Sequence, residues 1–127
     1  MANQYSSLFR ACFDNDLQKV ERILQERNTN INERLMTGEN AIHITIMRKF
    51  TKLTEFLIER KIDINMKDYF GRTPLMKATI RQNYDIVKIL LEEQNIKVNE
   101  TDCGGNTAAL LGKYLKIRNQ YFVIAII

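Results

Sequence analysis

Apolar residues return along this chain in a fixed rhythm. Val20, Ile23 and Leu24 recur as Leu53, Phe56 and Leu57, then as Val87, Leu90 and Leu91, and a last time as Val123, Ile126 and Ile127. Within each set the spacing is i, i+3, i+4, which places one narrow apolar stripe on a helix. A second series keeps step with the first. TGENAIHIT surrounds Gly38, FGRTPLMKA surrounds Gly71 33 residues later, and GGNTAALLG surrounds Gly105 after another 34. Two residue classes of unlike chemistry sharing one period define an internal repeat. Each unit predicts a glycine-containing turn, a short apolar-rich helix, and a second, striped helix.

Local signals place the helix ends. Thr73-Pro74 suits a helix start, because Thr can cap and Pro is tolerated at the first helical position. The second helices are expected to begin after Asp16, Thr51, Asn83 and Asn119. Asn15, Asn28 and Asn95 stand at the expected stops, where Asn tolerates a left-handed backbone. A helix pair with a single stripe cannot bury that stripe alone. It must stack on a copy of itself, which yields a solenoid.

At these residues the chain resembles the ankyrin-repeat family. Gly71-Arg72-Thr73-Pro74-Leu75 with Ala78, followed by Ile86-Val87 and Leu90-Leu91, carries the resemblance most fully. Asn40-Ala41-Ile42-His43 and Leu8 to Cys12 are looser copies, and Ile31-Asn32, Ile64-Asn65 and Val98-Asn99 match the family's repeat ends. The resemblance implies an all-α fold, an ankyrin-repeat solenoid of stacked helix-turn-helix units with projecting β-turn fingers. It divides residues 1–127, expected to form a single domain, into repeats at about 4–34, 35–67, 68–101 and 102–127. The family's helix-ending glycines are only partly replaced by Asn. Repeat four has Ala108 where Pro is usual and two extra residues near Lys116. The other helix-pair repeat of this length, the tetratricopeptide repeat, has no use for a Gly-Arg-Thr-Pro turn, and the Trp that marks it is missing.

Charge changes this picture little. The net charge is +4, with ten Lys/Arg against nine Asp/Glu in residues 1–63 and nine against six in 64–127. The signs are interspersed without a block of five, so a mixed solvated surface is expected and no nucleic-acid partner. Cys12 and Cys103, 91 residues apart, form neither a disulfide framework nor a metal-ligand pair and fit a reducing compartment. The N-terminus lacks the basic start and apolar core of a signal peptide, and no apolar run approaches the roughly 20 residues that span a bilayer. An intracellular, cytoplasmic protein away from membranes is expected, with a nuclear location also compatible.

No enzyme machinery is legible. His43 is the only histidine and has no Cys, Asp or Glu at ligand spacing, so no metal site is expected. The resemblance instead gives His43 the part of tying one turn to its neighbour. Gly104-Gly105 lacks the context of a phosphate-binding loop and reads as a tight turn. No catalytic residue and no cofactor is expected. Cys12 is read as packing and Cys103 as an incidental turn thiol.

Binding is the expected work. In the family, partner contacts come from residues flanking the turn glycine and from the exposed end of the first helix. Carried onto this chain, those positions are Met36, Thr37, Glu39, Met47 and Arg48 in repeat two and Tyr69, Phe70, Arg72, Ile80 and Arg81 in repeat three. Repeat four adds Cys103, Asn106 and Tyr114. Aromatic residues, Met and Arg are enriched in interface cores. Arg48 and Arg81 occupy equivalent positions and are expected about 8–10 Å apart. The set suits another protein with an acidic and hydrophobic surface. An adaptor or inhibitor is expected; the alternative is a fragment or isoform of a larger ankyrin-repeat protein whose activity resides elsewhere. The apolar run Tyr121–Ile127 is expected to meet a further repeat, a partner or a second copy of the chain.

Overall fold

The computed structural model describes residues 5–112, together with the backbone of 113, 116–117 and 120–121. Helices come in pairs. They are α1 (Ser7–Phe13) with α2 (Leu17–Leu24), α3 (Ala41–Met47) with α4 (Thr51–Glu59), α5 (Pro74–Ile80) with α6 (Tyr84–Leu91), and α7 (Ala108–Lys113). The short helices α1, α3, α5 and α7 pack in one inner row, each on the next, while α4 packs on α6 in the outer row. This is the all-α stack that the repeat requires. Among the described residues the one departure is a two-residue antiparallel ladder, β1 (Lys116–Ile117) with β2 (Gln120–Tyr121). It lies where repeat four was expected to start its second helix, and β-branched Ile117 and aromatic Tyr121 favour extended backbone. The apolar run Tyr121–Ile127, apart from the backbone of Tyr121, lies outside the described residues, as does Tyr114.

The predicted stripes supply the core. Val20, Ile23, Leu53, Leu57, Val87 and Leu90 are buried against Leu8, Ile42, Ile46, Leu75 and Ile86 in one continuous cluster, with Leu24, Phe56 and Leu91 partly covered at its edge. Capping follows the sequence at Asp16, Thr73 and Asn83, whose side chains accept from the N–H groups of Lys19, Met76 and Ile86. The start of α4 is a correction. Thr51 is already inside that helix, and Phe50 precedes it without a side-chain cap. The stops are another. α2 and α6 end at Leu24 and Leu91, before Asn28 and Asn95 are reached. Among the described residues other than glycine, those with left-handed backbone are Asn15, Lys49 and Gln82, one in each turn between paired helices, and Lys61 after α4. Only Asn15 was expected, since tight hairpin closure and not residue preference imposes this conformation at Lys49 and Gln82.

Candidate functional site

Each finger is a turn closed by its own backbone. Gly38 N–H donates to Leu35 carbonyl (2.8 Å), Gly71 N–H to Asp68 carbonyl (2.9 Å) and Gly105 N–H to Asp102 carbonyl (3.0 Å). All three glycines have positive φ, the left-handed conformation such a turn needs. In the second and third fingers a carboxylate supports the turn from within. Asp68 accepts from the N–H groups of Phe70 and Arg72, and Asp102 from those of Gly104 and Asn106. The first finger has Leu35 at this position and does without that support.

Neighbouring fingers are bonded to one another. Tyr69 N–H donates to Thr37 carbonyl (3.0 Å) and Cys103 N–H to Phe70 carbonyl (2.9 Å). Asn32 and Asn65 extend this ladder at the repeat ends, accepting from Asp63 N–H (2.7 Å) and Lys97 N–H (2.8 Å). Arg34 donates to Gly38 carbonyl (3.0 Å) and to Lys67 carbonyl, and its guanidinium lies 5.4 Å from the centre of the Tyr69 ring.

Buried polar groups lock fingers to inner helices. His43 Nε2 lies 3.1 Å from Arg72 carbonyl, and its Nδ1 lies 3.2 Å from Asn40 N–H. A neutral ring protonated on Nε2 serves both contacts. Burial holds His43 below the usual imidazole range, against the opposing pull of that carbonyl. Lys77 reaches Asp68 Oδ2 at 2.9 Å and Glu39 Oε2 at 3.4 Å, with its side chain only 12% exposed. Burial alone would raise the Asp68 pKa, but the Lys77 hydrogen bond and the N–H of Arg72 outweigh it and hold it low. Asp102 is also held low, first by the N–H of Asn106.

The positions read from the sequence therefore divide. Met36, Tyr69 and Phe70 stand at the finger tips, 93%, 66% and 67% exposed. Arg48 and Arg81 are exposed C-caps of the adjacent helices α3 and α5. Met47 and Ile80, the last residues of those helices, are half-buried, as are Glu39, Arg72 and Asn106. These last three are engaged within the stack. Glu39 pairs with Lys77 and accepts from Thr37, Arg72 Nε lies 3.7 Å from Asp102 Oδ2, and Asn106 bonds to Asp102. Tyr69 has a double part, since its ring and backbone also close over Gly38.

Sequence reading missed a groove of about 540 Å³ between α1 and the first finger, lined by Tyr5, Phe9, Phe13, Met36 and Ile44 among others. The Arg48 guanidinium lies 5.0 Å from the centre of the Phe13 ring. The aromatic residues of α1 were the available signal, because repeats two and three carry none at those positions. Among the described residues no group of three or more His, Cys, Asp and Glu is placed to hold a metal, and no helix is long and apolar enough to cross a membrane.

Paired helices, hydrogen-bonded fingers and a continuous inner row define a repeat solenoid built to present a surface. The family described as Ankyrin repeats (3 copies) matches residues 8–102, and the chain belongs to it. Ankyrin repeats are protein–protein interaction modules and typically non-catalytic. The chain is 33% identical over 104 residues to the ankyrin repeat and KH domain-containing protein mask of Drosophila melanogaster, covering 79% of this chain and 3% of that protein. It is 28% identical over 106 residues to the ANK repeat-containing protein nipk-1 of Caenorhabditis elegans, covering 76% and 17%. It is 25% identical over 105 residues to the human transient receptor potential cation channel subfamily A member 1, covering 82% and 9%. The chain thus spans a small part of each of these relatives.

Proposed function

We propose that residues 1–127 form one binding unit, an adaptor or inhibitor that masks an acidic and hydrophobic surface of another protein. The contact surface of this reading is the face made by the finger tips and the ends of the inner helices. The observation that carries it is the exposure of Met36, Tyr69 and Phe70 on adjacent fingers. Apolar side chains of this size gain from leaving water, and Tyr69 and Phe70 are of the aromatic class that anchors interfaces. Arg48 and Arg81 supply charge beside them. Two cysteines without a disulfide support a cytoplasmic setting. A photo-crosslinking residue at Tyr69 tests the reading against one at Lys88, which is exposed on the outer helix α6. The Tyr69 probe captures the partner and the Lys88 probe does not; capture from Lys88 alone would place binding on the other side.

A second reading is that this stack serves a longer protein whose activity lies elsewhere. It is supported by the relatives, of which the chain covers 3%, 9% and 17%. Recovery of the native protein at a mass near 14.9 kDa would remove it.

A further inference from the structure

The two ends of the stack are built differently. At the third residue of each inner helix stand Phe9, His43, Met76 and Leu110, which are 2%, 0%, 1% and 37% exposed. This position looks toward the following repeat, as the bond from His43 to the carbonyl of Arg72 shows. The fingers repeat the pattern. A Cβ at Gly38 or Gly71 would lie 2.8 Å from the backbone nitrogen of Tyr69 or Cys103 on the next finger, whereas nothing stands within 4 Å at Gly105. The carbonyls of Thr37 and Phe70 accept from those same two N–H groups. That of Gly104, next in the series, has no such donor among the described residues. Asn32 and Asn65 accept backbone N–H groups of the following repeat, and Asn99, next in that series, is exposed.

At the α1 end the corresponding positions are polar. Ser7, Arg10 and Lys19 are exposed where the second repeat buries Ala41, Ile44 and Leu53. These are positions that face the preceding repeat. Ile44 lies beside Phe9 and Phe13, and Lys77, at the same place in α5, reaches back to Glu39. A polar outer face of this kind does not take a further repeat. Packing Arg10 and Lys19 against Leu110 would bury two cations without partners, which is costly. Copies of this chain therefore do not stack end to end.

We propose that the end of the stack formed by the third finger and α7 is an interaction surface for a repeat-type unit of another protein. This surface is separate from the finger tips and does not depend on their role. The partner supplies a glycine turn whose N–H, two residues before the glycine, donates to the Gly104 carbonyl. It also supplies a short helix, small at its first position and aliphatic at its fourth like Ala41 and Ile44, that covers Leu110. The inner helices already make this interface in the pairs α1–α3, α3–α5 and α5–α7, so the stack itself sets the geometry. The repeat places the next finger 33 or 34 residues past Gly105, outside residues 1–127, so the occupant is none of them.

The test uses an altered form of this chain as the probe. Ser7→Ala/Arg10→Ile/Lys19→Leu gives the α1 end the residues of a stacking face, and Leu110→Glu blocks the probe's other end. All four positions are exposed, so the probe keeps its fold, with circular dichroism as the check. A second probe that leaves Ser7 in place, Arg10→Leu/Lys19→Leu/Leu110→Glu, carries the same comparison should the first not fold. Isotope-labelled wild type and probe form a one-to-one complex in sedimentation, and the wild-type amides of Gly104, Gly105 and Leu110 move. Leu110→Glu in the labelled chain weakens the complex at least about tenfold, because it buries a charge in an apolar contact. Wild type alone stays monomeric over the same concentrations. No complex, equal affinity for Leu110→Glu, or movement confined to other amides overturns the proposal. So does self-association of the wild type through these amides, which would give the surface to a second copy. A native protein that continues into a further repeat would fill the surface itself and also overturn it. Crosslinking through Tyr69 reports on the finger tips alone, so either result stands without the other.

Discussion

His43 Nε2 donates to the backbone carbonyl of Arg72 across 3.1 Å, so a buried side chain of one repeat holds the finger of the next. Removing the donor leaves that carbonyl without this partner, and His43→Leu is expected to cost about 1–3 kcal/mol. The pH dependence has a definite sign. The folded pKa of His43 is lowered by burial, so the unfolded chain takes up a proton near pH 6.5 before the folded chain does. Stability therefore declines as pH falls below about 6.5. It declines again below about 3.8, where the lowered pKa values of Asp68 and Asp102 make folding compete with protonation. Urea melts from pH 8 to 3 show both phases, and His43→Leu abolishes the first.

Core and surface separate sharply along the third repeat. Leu90 is fully buried and Arg81 is exposed. Leu90→Ala is expected to cost about 2–5 kcal/mol through lost burial and a cavity, Arg81→Ala less than about 0.5 kcal/mol. Chemical denaturation of both variants checks the pair, and equal losses would invert the assignment of faces.

Much of this architecture is legible in the chain because its signals are local. The stripe through Val20, Leu53 and Val87 and the caps Asp16, Thr73 and Asn83 depend on neighbours within one turn of helix. What was not legible depends on how turns close and on partners outside the local helix, such as Glu39 for Lys77 and Asp102 for Arg72. Nothing near Lys77 in sequence announces Glu39 and Asp68 as its partners. Glu39, Arg72 and Asn106 looked available because their flanking glycines mark fingers, yet their side chains bond within the stack. Lys49 and Gln82 are left-handed because hairpin closure demands it, and neither residue type advertises that. The groove beside Phe13 needs the first finger to wall it, so α1 alone shows only aromatic residues.

Gly71 and Gly105 share a positive φ but differ in what surrounds them. A Cβ at Gly71 would lie 2.8 Å from the backbone nitrogen of Cys103, whereas nothing stands within 4 Å at Gly105. Gly105→Ala is expected to cost about 1–2 kcal/mol from backbone conformation alone. Gly71→Ala adds a clash between fingers and is expected to cost about 1–3 kcal/mol more. Thermal melts of the two variants measure the difference, and equal costs would contradict the packing of finger on finger.

The two thiols are expected to react at very different rates. Cys103 is exposed at a finger tip. Burial, with a smaller contribution from Glu33, pushes the Cys12 thiol up to about 12, which denies it the reactive thiolate at neutral pH. A maleimide labels one thiol in the native protein, at Cys103, and a second only on unfolding. Prompt labelling of Cys12 would show that the first repeat opens readily.

The central claim is that the finger face binds. Its most direct measurement is the affinity of the crosslinked partner, once purified, for the wild type and for Tyr69→Ala/Phe70→Ala. Both side chains are about two-thirds exposed, so the variant is expected to keep its fold, with circular dichroism and a cooperative melt as the check. Loss of two interface anchors is expected to weaken binding by at least about 30-fold, since an anchor truncation costs about 1–2 kcal/mol or more. A folded variant that binds with unchanged affinity would contradict the account.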